Sequence, residues 1–204
     1  MKTLLKLRTS LYGAQGQSSK LVDRFASNWL LNNPAGRVVS RDLTPGSVPH
    51  LTAERFQAFS LKPEERSPEQ QAAVDFSDAL IAELEEADVI VIAAPMYNFG
   101  VPSTLRAYFD HVGRSGVTFR YEADGPHGLL TGKKTFLMVT RGGRYAGSAD
   151  AQTAYLKQFL GFIGLTDIEW VYAEGLAFGP ETRDLSLGAA NQSIAELESA
   201  AVAA

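Results

Sequence analysis

The 204-residue sequence contains no cysteine, which excludes a disulfide framework, a thiolate metal site and a cysteine nucleophile. It has no surplus of positive charge: 19 Lys and Arg against 23 Asp and Glu leave a formal net charge of −4. A nucleic-acid surface needs a concentrated excess of basic side chains, so that partner class is disfavoured. No apolar stretch approaches the roughly 20 residues that a membrane span requires. The opening segment Met1–Arg8 is too short and too charged for a secretory signal. The three histidines, His50, His111 and His127, stand at no metal-ligand spacing, and no metal is expected. With 45% hydrophobic and 21% charged residues, the chain falls in the range of soluble globular proteins. It is expected to form one domain over residues 1–204, in the cytoplasm.

Short apolar runs at Thr3–Leu7, Val89–Ala94 and Thr135–Val139, with weaker ones at Arg37–Arg41 and Ile168–Ala173, read as strands. They do not alternate and are rich in Val, Ile and Leu, as strands covered on both faces are. Helical periodicity fills the intervals: Ser18–Asn32, with Leu21, Val22, Phe25, Trp29 and Leu30 on one face, and Pro68–Glu86, with Ala72, Phe76, Ala79, Leu80 and Leu84. Further helices are expected at Ser103–His111, at Ala151–Ile163 and from Pro180 to about Ala200. Strand and helix alternating along the whole length imply right-handed crossovers and a doubly wound α/β sheet. Two segments break the alternation. Leu43–Pro68 carries four prolines and is read as a long loop with a short helix around Ala53–Phe59. Val117–Leu130 is read as a β-hairpin turning at Asp124-Gly125.

In an open α/β sheet, ligands bind outside the carboxyl ends of the strands. Three loops lie there. The first, Thr9–Ser19, has Gly13 and Gly16 ahead of a serine-rich helix start, where unpaired N–H groups and the positive dipole end suit a phosphate. Its glycines lack the dinucleotide and Walker spacings. An N-cap by Gln17 or Ser18 explains the same residues without a ligand. The second loop, Pro95–Ser103, presents Met96, Tyr97 and Phe99 on a backbone constrained by Pro95, Gly100 and Pro102. It suits a planar ligand, or simply folds its aromatics over the core. The third, Thr140-Arg141-Gly142-Gly143, exposes amides that an electron-rich carbonyl edge could use, or is a tight turn. Ser10 has neither a G-x-S-x-G elbow nor an evident His/Asp pair, which disfavours hydrolase chemistry. The three loops together suit a mononucleotide with a flat ring. With no acid/base constellation, a flavin that carries the redox chemistry itself is the natural ligand.

At this point Ala93-Ala94-Pro95-Met96-Tyr97-Asn98-Phe99, Gly116–Tyr121, Thr140–Gly143 and Leu160–Gly164 become recognisable. Together they resemble the FMN-dependent NADH-azoreductases, also described as FMN-dependent NADH:quinone oxidoreductases. The resemblance runs from Leu4 to Pro180. It implies a flavodoxin-like fold with a five-stranded parallel sheet in the order 2-1-3-4-5, helices on both faces and a β-hairpin insertion. Ser10, Gly16, Gln17 and Ser18 would hold the FMN phosphate. Met96, Tyr97, Asn98 and Phe99 would line the ribityl chain and ring edge, with Thr140, Arg141, Gly142 and Gly143 at the pyrimidine side. Where the family usually has serine, this chain has Gly16, which removes one hydroxyl from the cradle and leaves the backbone N–H.

The resemblance further implies NADH or NADPH as donor, quinones and azo aromatics as acceptors, and a homodimer whose sites lie at the interface. Phe99, Phe119, Tyr121 and Phe162 would stack on substrate, with no essential catalytic side chain. Tyr121 is a candidate proton source, and Arg55, Arg66 and Arg120 are candidates for distinguishing NADPH from NADH. Two rival readings stand beside this one: an electron carrier without small-molecule turnover, and a phosphate-binding module with no redox role.

Overall fold

The computed structural model describes residues 1–145 and 150–203, with side chains described as far as Leu197 in the last helix. Five parallel strands form the central sheet: β1 (Thr3–Arg8), β2 (Arg37–Asp42), β3 (Val89–Pro95), β6 (Lys134–Thr140) and β7 (Asp167–Ala173). Their order is β2-β1-β3-β6-β7, and β4 (Phe119–Glu122) and β5 (Gly125–Gly128) form a separate antiparallel hairpin. Counted without the hairpin, the order is the expected 2-1-3-4-5. The inner strands β1, β3 and β6 send alternate side chains into two different helical layers. Leu4, Val91, Ala93, Phe136, Met138 and Val171 pack with α1 (Gln17–Asn32) and α6 (Pro180–Ala203). Leu5, Leu7, Ile90, Ile92, Leu137 and Val139 pack on the opposite side with α3 (Pro68–Glu86), α4 (Ser103–Val112) and α5 (Ala151–Phe162). Because every βαβ crossover returns to the same end, all five strands point their carboxyl ends, and the loops that follow them, at one edge of the molecule.

Local chemistry sets the helix boundaries. The α3 start is a capping box: the Ser67 hydroxyl accepts from the Gln70 N–H at 3.2 Å, and the Gln70 side chain accepts from the Ser67 N–H at 2.9 Å. Asp150 caps α5 by accepting from the Thr153 N–H at 2.7 Å. In the long segment before α3, the short helix α2 (Ala53–Ala58) forms where expected, and a single 3₁₀ turn adds Pro63–Glu65.

Three expectations need correction. On α1, Leu30 is exposed, because the inner stripe runs Leu21, Val22, Phe25, Ala26, Trp29 and Leu30 lies about 100° further round. On α3, Ala72 and Ala79 face solvent, and the buried stripe is Ala73, Val74, Ser77, Leu80, Ile81 and Leu84. Ser77 belongs to the inner face because its hydroxyl donates to the His111 carbonyl at 2.7 Å, a partner that hydrophobicity cannot reveal. In the hairpin, Val117 and Thr118 are not strand residues: Thr118 folds back and its hydroxyl donates to the Val112 carbonyl at 2.6 Å. The turn itself falls on Ala123-Asp124, one residue earlier than expected. Gly125, at φ 130°, opens the second strand paired with Glu122.

Candidate functional site

A cleft of about 180 Å³ opens at the carboxyl edge of the sheet, lined by residues from all three loops. Ser10, Gly16, Gln17 and Ser18 come from the first, Pro95, Met96 and Tyr97 from the second, and Thr140, Arg141 and Gly142 from the third. Tyr12 and Leu176, which sequence reasoning did not single out, complete it. Tyr97 and Gly142 therefore face one common space. Tyr97 also lines an adjoining cavity of about 590 Å³ with Asn98, Phe99 and Gly100.

The first loop leaves a buried hydroxyl and a helix amino end facing the cleft. The residue that caps α1 is Gly16, with extended backbone and no side-chain cap. Neither Gln17 nor Ser18 caps, so capping does not account for the serine. The Ser18 hydroxyl is fully buried and has no hydrogen-bond partner, at a helix end whose first N–H groups are unpaired by geometry. A buried orphan hydroxyl costs on the order of 1–3 kcal/mol, and an anion seated there would relieve it. The absence of a side chain at position 16 is a steric requirement here. A Cβ would stand 2.1 Å from the Ser10 hydroxyl oxygen and 2.5 Å from its Cβ. Ser10 thus occupies the space that any side chain at position 16 would claim. Its hydroxyl lies 3.2 Å from the Tyr97 hydroxyl and accepts from the Tyr12 N–H at 3.2 Å, joining the first loop to the second.

The second loop is a two-residue reversal. Tyr97 and Gly100 exchange backbone hydrogen bonds at 3.0 and 3.1 Å, and Asn98 (φ 49°) and Phe99 (φ 65°) occupy the corners. Among the described residues these are the only non-glycine positions in the left-handed region. That conformation is costly for a bulky side chain. Phe99 is held out into solvent, 66% exposed, with Tyr145 edge-on at 6.3 Å. Strain of this kind collects where a loop must present a side chain to a ligand.

The third loop is pinned from behind. The Arg141, Gly142 and Gly143 carbonyls accept from the Leu176, Ala177 and Gly175 N–H groups at 3.1, 3.1 and 2.8 Å. Arg141 contributes backbone to the cleft, whereas its side chain, 2% exposed as a residue, turns into the interior between Asp150 and Glu174.

The remaining aromatics lie elsewhere within one chain. Phe119 packs on Phe162 at 4.1 Å and on Tyr121 at 5.5 Å, in the hairpin against the end of α5, and none of the three lines the cleft. Tyr121 is 70% exposed. Of the candidate arginines, Arg66 donates to the Leu61 carbonyl and Gln71, Arg120 pairs with Glu122, and Arg55 lines a separate groove with Glu54 and Glu69. The hairpin tip also gathers Glu122, Asp124 and His127, with His127 2.7 Å from Asp124, a set that linear spacing did not flag.

The sequence profile of the flavodoxin-like fold family matches residues 2–197. The chain is 52% identical over 180 residues to the FMN-dependent NADH:quinone oxidoreductase of Cellvibrio japonicus, covering 88% of this chain and 90% of that protein. This chain belongs to that family. Over 196 residues it is 46% identical to FMN-dependent NADH:quinone oxidoreductase 6 of Burkholderia lata, spanning 96% and 99% of the two chains. In structure it is similar to an azoreductase of Bacillus anthracis, with TM-score 0.88 and 27% identity over 97% of this chain and 99% of that one. It is equally close to azoreductase AzrA, at TM-score 0.87 and 29% identity, with the same coverage.

Proposed function

We propose that this chain, acting as one domain, is an FMN-dependent NADH:quinone oxidoreductase that also reduces aromatic azo compounds. The observation that carries the reading is the common cleft: an orphaned buried serine at a helix amino end, with Tyr97 and Gly142 facing the same space. The residues present fit a flavin mononucleotide. Ser18, Gln17, Ser10 and the α1 amino end would take the phosphate. Met96, Tyr97, Asn98 and Phe99 would line the chain and ring edge, and Thr140, the Arg141 backbone, Gly142 and Gly143 would meet the ring's polar edge. FMN, when bound, supplies hydride acceptance and release. The protein supplies position: the second loop shapes a flat berth, and exposed Phe99 covers an aromatic visitor. Donor and acceptor use the berth in turn, which gives ping-pong kinetics with NADH as donor, and an azo bond requires two turnovers.

Homodimerisation completes the site in this reading. Phe119, Tyr121 and Phe162 lie away from their own cleft, so the aromatic cover would come from a second copy. The chain would work in the cytoplasm, and among the described residues no helix is long and apolar enough to cross a membrane. The electron-carrier alternative draws no support from the cleft, since no residue lining it is acidic and a carrier docks its partner through a charged rim. Recording the visible spectrum of the purified protein tests the proposal. A flavin band that bleaches with NADH under anaerobic conditions and returns on adding a quinone is the expected result. A protein that takes up FMN but is not reduced by NADH would reject it.

A further inference from the structure

The Arg141 side chain sits at the centre of a buried polar cluster that the flavin site, as read above, does not use. All five of its N–H donors are accounted for. Nε donates to the Gln152 side-chain oxygen at 3.2 Å. Nη1 donates to Asp150 at 3.3 Å and to Glu174 at 3.0 Å. Nη2 donates to Asp150 at 2.8 Å and to the Thr153 hydroxyl at 2.7 Å. The guanidinium is also flanked by the Tyr145 and Tyr172 rings, at 5.6 and 5.2 Å. Nothing on this side chain is left to donate to a ligand.

The cluster spans the molecule's carboxyl edge. Arg141 follows β6, Glu174 follows β7, and Asp150 and Thr153 belong to the α5 amino end. Gln152, fully buried, carries the connection further: its amide donates to the Ala94 and Pro95 carbonyls at 3.1 Å each, at the end of β3. Those carbonyls immediately precede Met96. One guanidinium therefore ties together the ends of β3, β6 and β7, the points from which the Met96–Phe99 and Gly142–Gly143 loops emerge. The phosphate cradle after β1 is not part of the network.

Burying a cation between two carboxylates is no efficient route to stability, because desolvation consumes most of the attraction. A planar five-donor fork is, in contrast, an efficient way to fix several partners in one geometry. Loops that must hold a ring within about 0.5 Å need such support from behind.

We propose that Arg141, through Gln152, is a positioning residue whose guanidinium holds the ring-edge loops of the flavin site in register without itself touching the flavin. The inference rests on the FMN reading above. It makes a specific separation: damage to the network weakens attachment of the ring and leaves attachment of the phosphate intact.

The test compares FMN with riboflavin, which lacks the phosphate, by fluorescence titration of the apoprotein of the full chain. In Gln152→Met, which keeps size and removes the amide, both ligands lose affinity by the same factor, about tenfold. The visible circular dichroism of the bound flavin changes with it. Arg141→Lys keeps the charge without the fork, and shows the same paired loss. Ser18→Ala, in the cradle, weakens FMN and leaves riboflavin unchanged. Far-ultraviolet circular dichroism verifies folding of each variant. Native affinity for both ligands in folded Gln152→Met and Arg141→Lys, or a loss confined to FMN, overturns the assignment. Complete recovery by lysine overturns it as well, since charge alone would then suffice. A wild-type protein that binds neither flavin instead rejects the site reading itself.

Discussion

At the scale of single residues, the cradle and the strained corner make opposite demands. The Ser18 hydroxyl is buried without a partner, so the folded protein bears a cost that a bound phosphate would repay. Ser18→Ala therefore raises thermal stability of the apoprotein slightly and lowers FMN affinity by about tenfold or more. Differential scanning fluorimetry with and without FMN measures both signs in one experiment. Gly16 allows only one solution. Gly16→Ser would drive its Cβ into Ser10, so the variant loses stability, and combining it with Ser10→Gly restores most of the loss. Thermal midpoints of the two single variants and the double variant check this coupling. Phe99 stands at φ 65° and is exposed. Phe99→Gly releases about 1–2 kcal/mol of left-handed strain, so the melting temperature holds or rises while the KM for a quinone increases. A melting temperature that falls would show that the ring contributes packing rather than substrate cover.

At the scale of elements, the last turn of α4 anchors the loop before α2. The His111 ring is buried, lies 2.9 Å from the Pro49 carbonyl through Nε2, and is packed edge-on by Phe59 and Phe76. Burial is the main cause that pulls its pKa below the ordinary 6.5, opposed by the Pro49 carbonyl and assisted by Arg55. With the folded value below the unfolded one, the unfolded chain binds the extra proton first. Stability is therefore complete above the ordinary histidine range, and falls as pH drops from about 6.5 toward the depressed value. His111→Gln, which keeps a donor for Pro49, flattens that slope in urea unfolding measured across the same window. The hairpin has the opposite dependence. Its His127 is raised chiefly by the hydrogen bond to Asp124, and Asp124 is lowered by the same contact. The pair is charged on both sides from the depressed carboxylate value up to the raised imidazole value, and opens above it as the imidazole loses its proton.

At the scale of the whole molecule, one chain brings the three loops together but leaves its aromatic trio on the hairpin and α5. A second copy would supply the cover, so light scattering is expected to report twice the 22.1 kDa of one chain. Tyr121→Ala would then lower quinone turnover with FMN affinity little changed. A monomer with full quinone activity would remove the dimer from the account.

Much of this architecture is legible before any coordinates. Apolar runs such as Val89–Ala94 and helical stripes such as Leu105, Tyr108 and Phe109 follow from burial on two faces and on one. That the loops of Ser10, Tyr97 and Gly142 gather at one edge follows from the alternation of strand and helix. Sequence-local patterns failed where a polar partner distant in the chain decides the outcome. Ser77 faces inward because of the His111 carbonyl, 34 positions away, and Gln152 matters because of the Ala94 and Pro95 carbonyls, 58 and 57 positions away. Arg141 borders the cleft, as its loop position suggests, but its side chain is in three dimensions wholly engaged elsewhere. Periodicity and turn chemistry are properties of neighbours along the chain, and they suffice for strands, helices and the edge where loops gather. Which buried polar atoms are satisfied, and which, like the Ser18 hydroxyl, are not, depends on partners that only folding brings within 3 Å or so of one another.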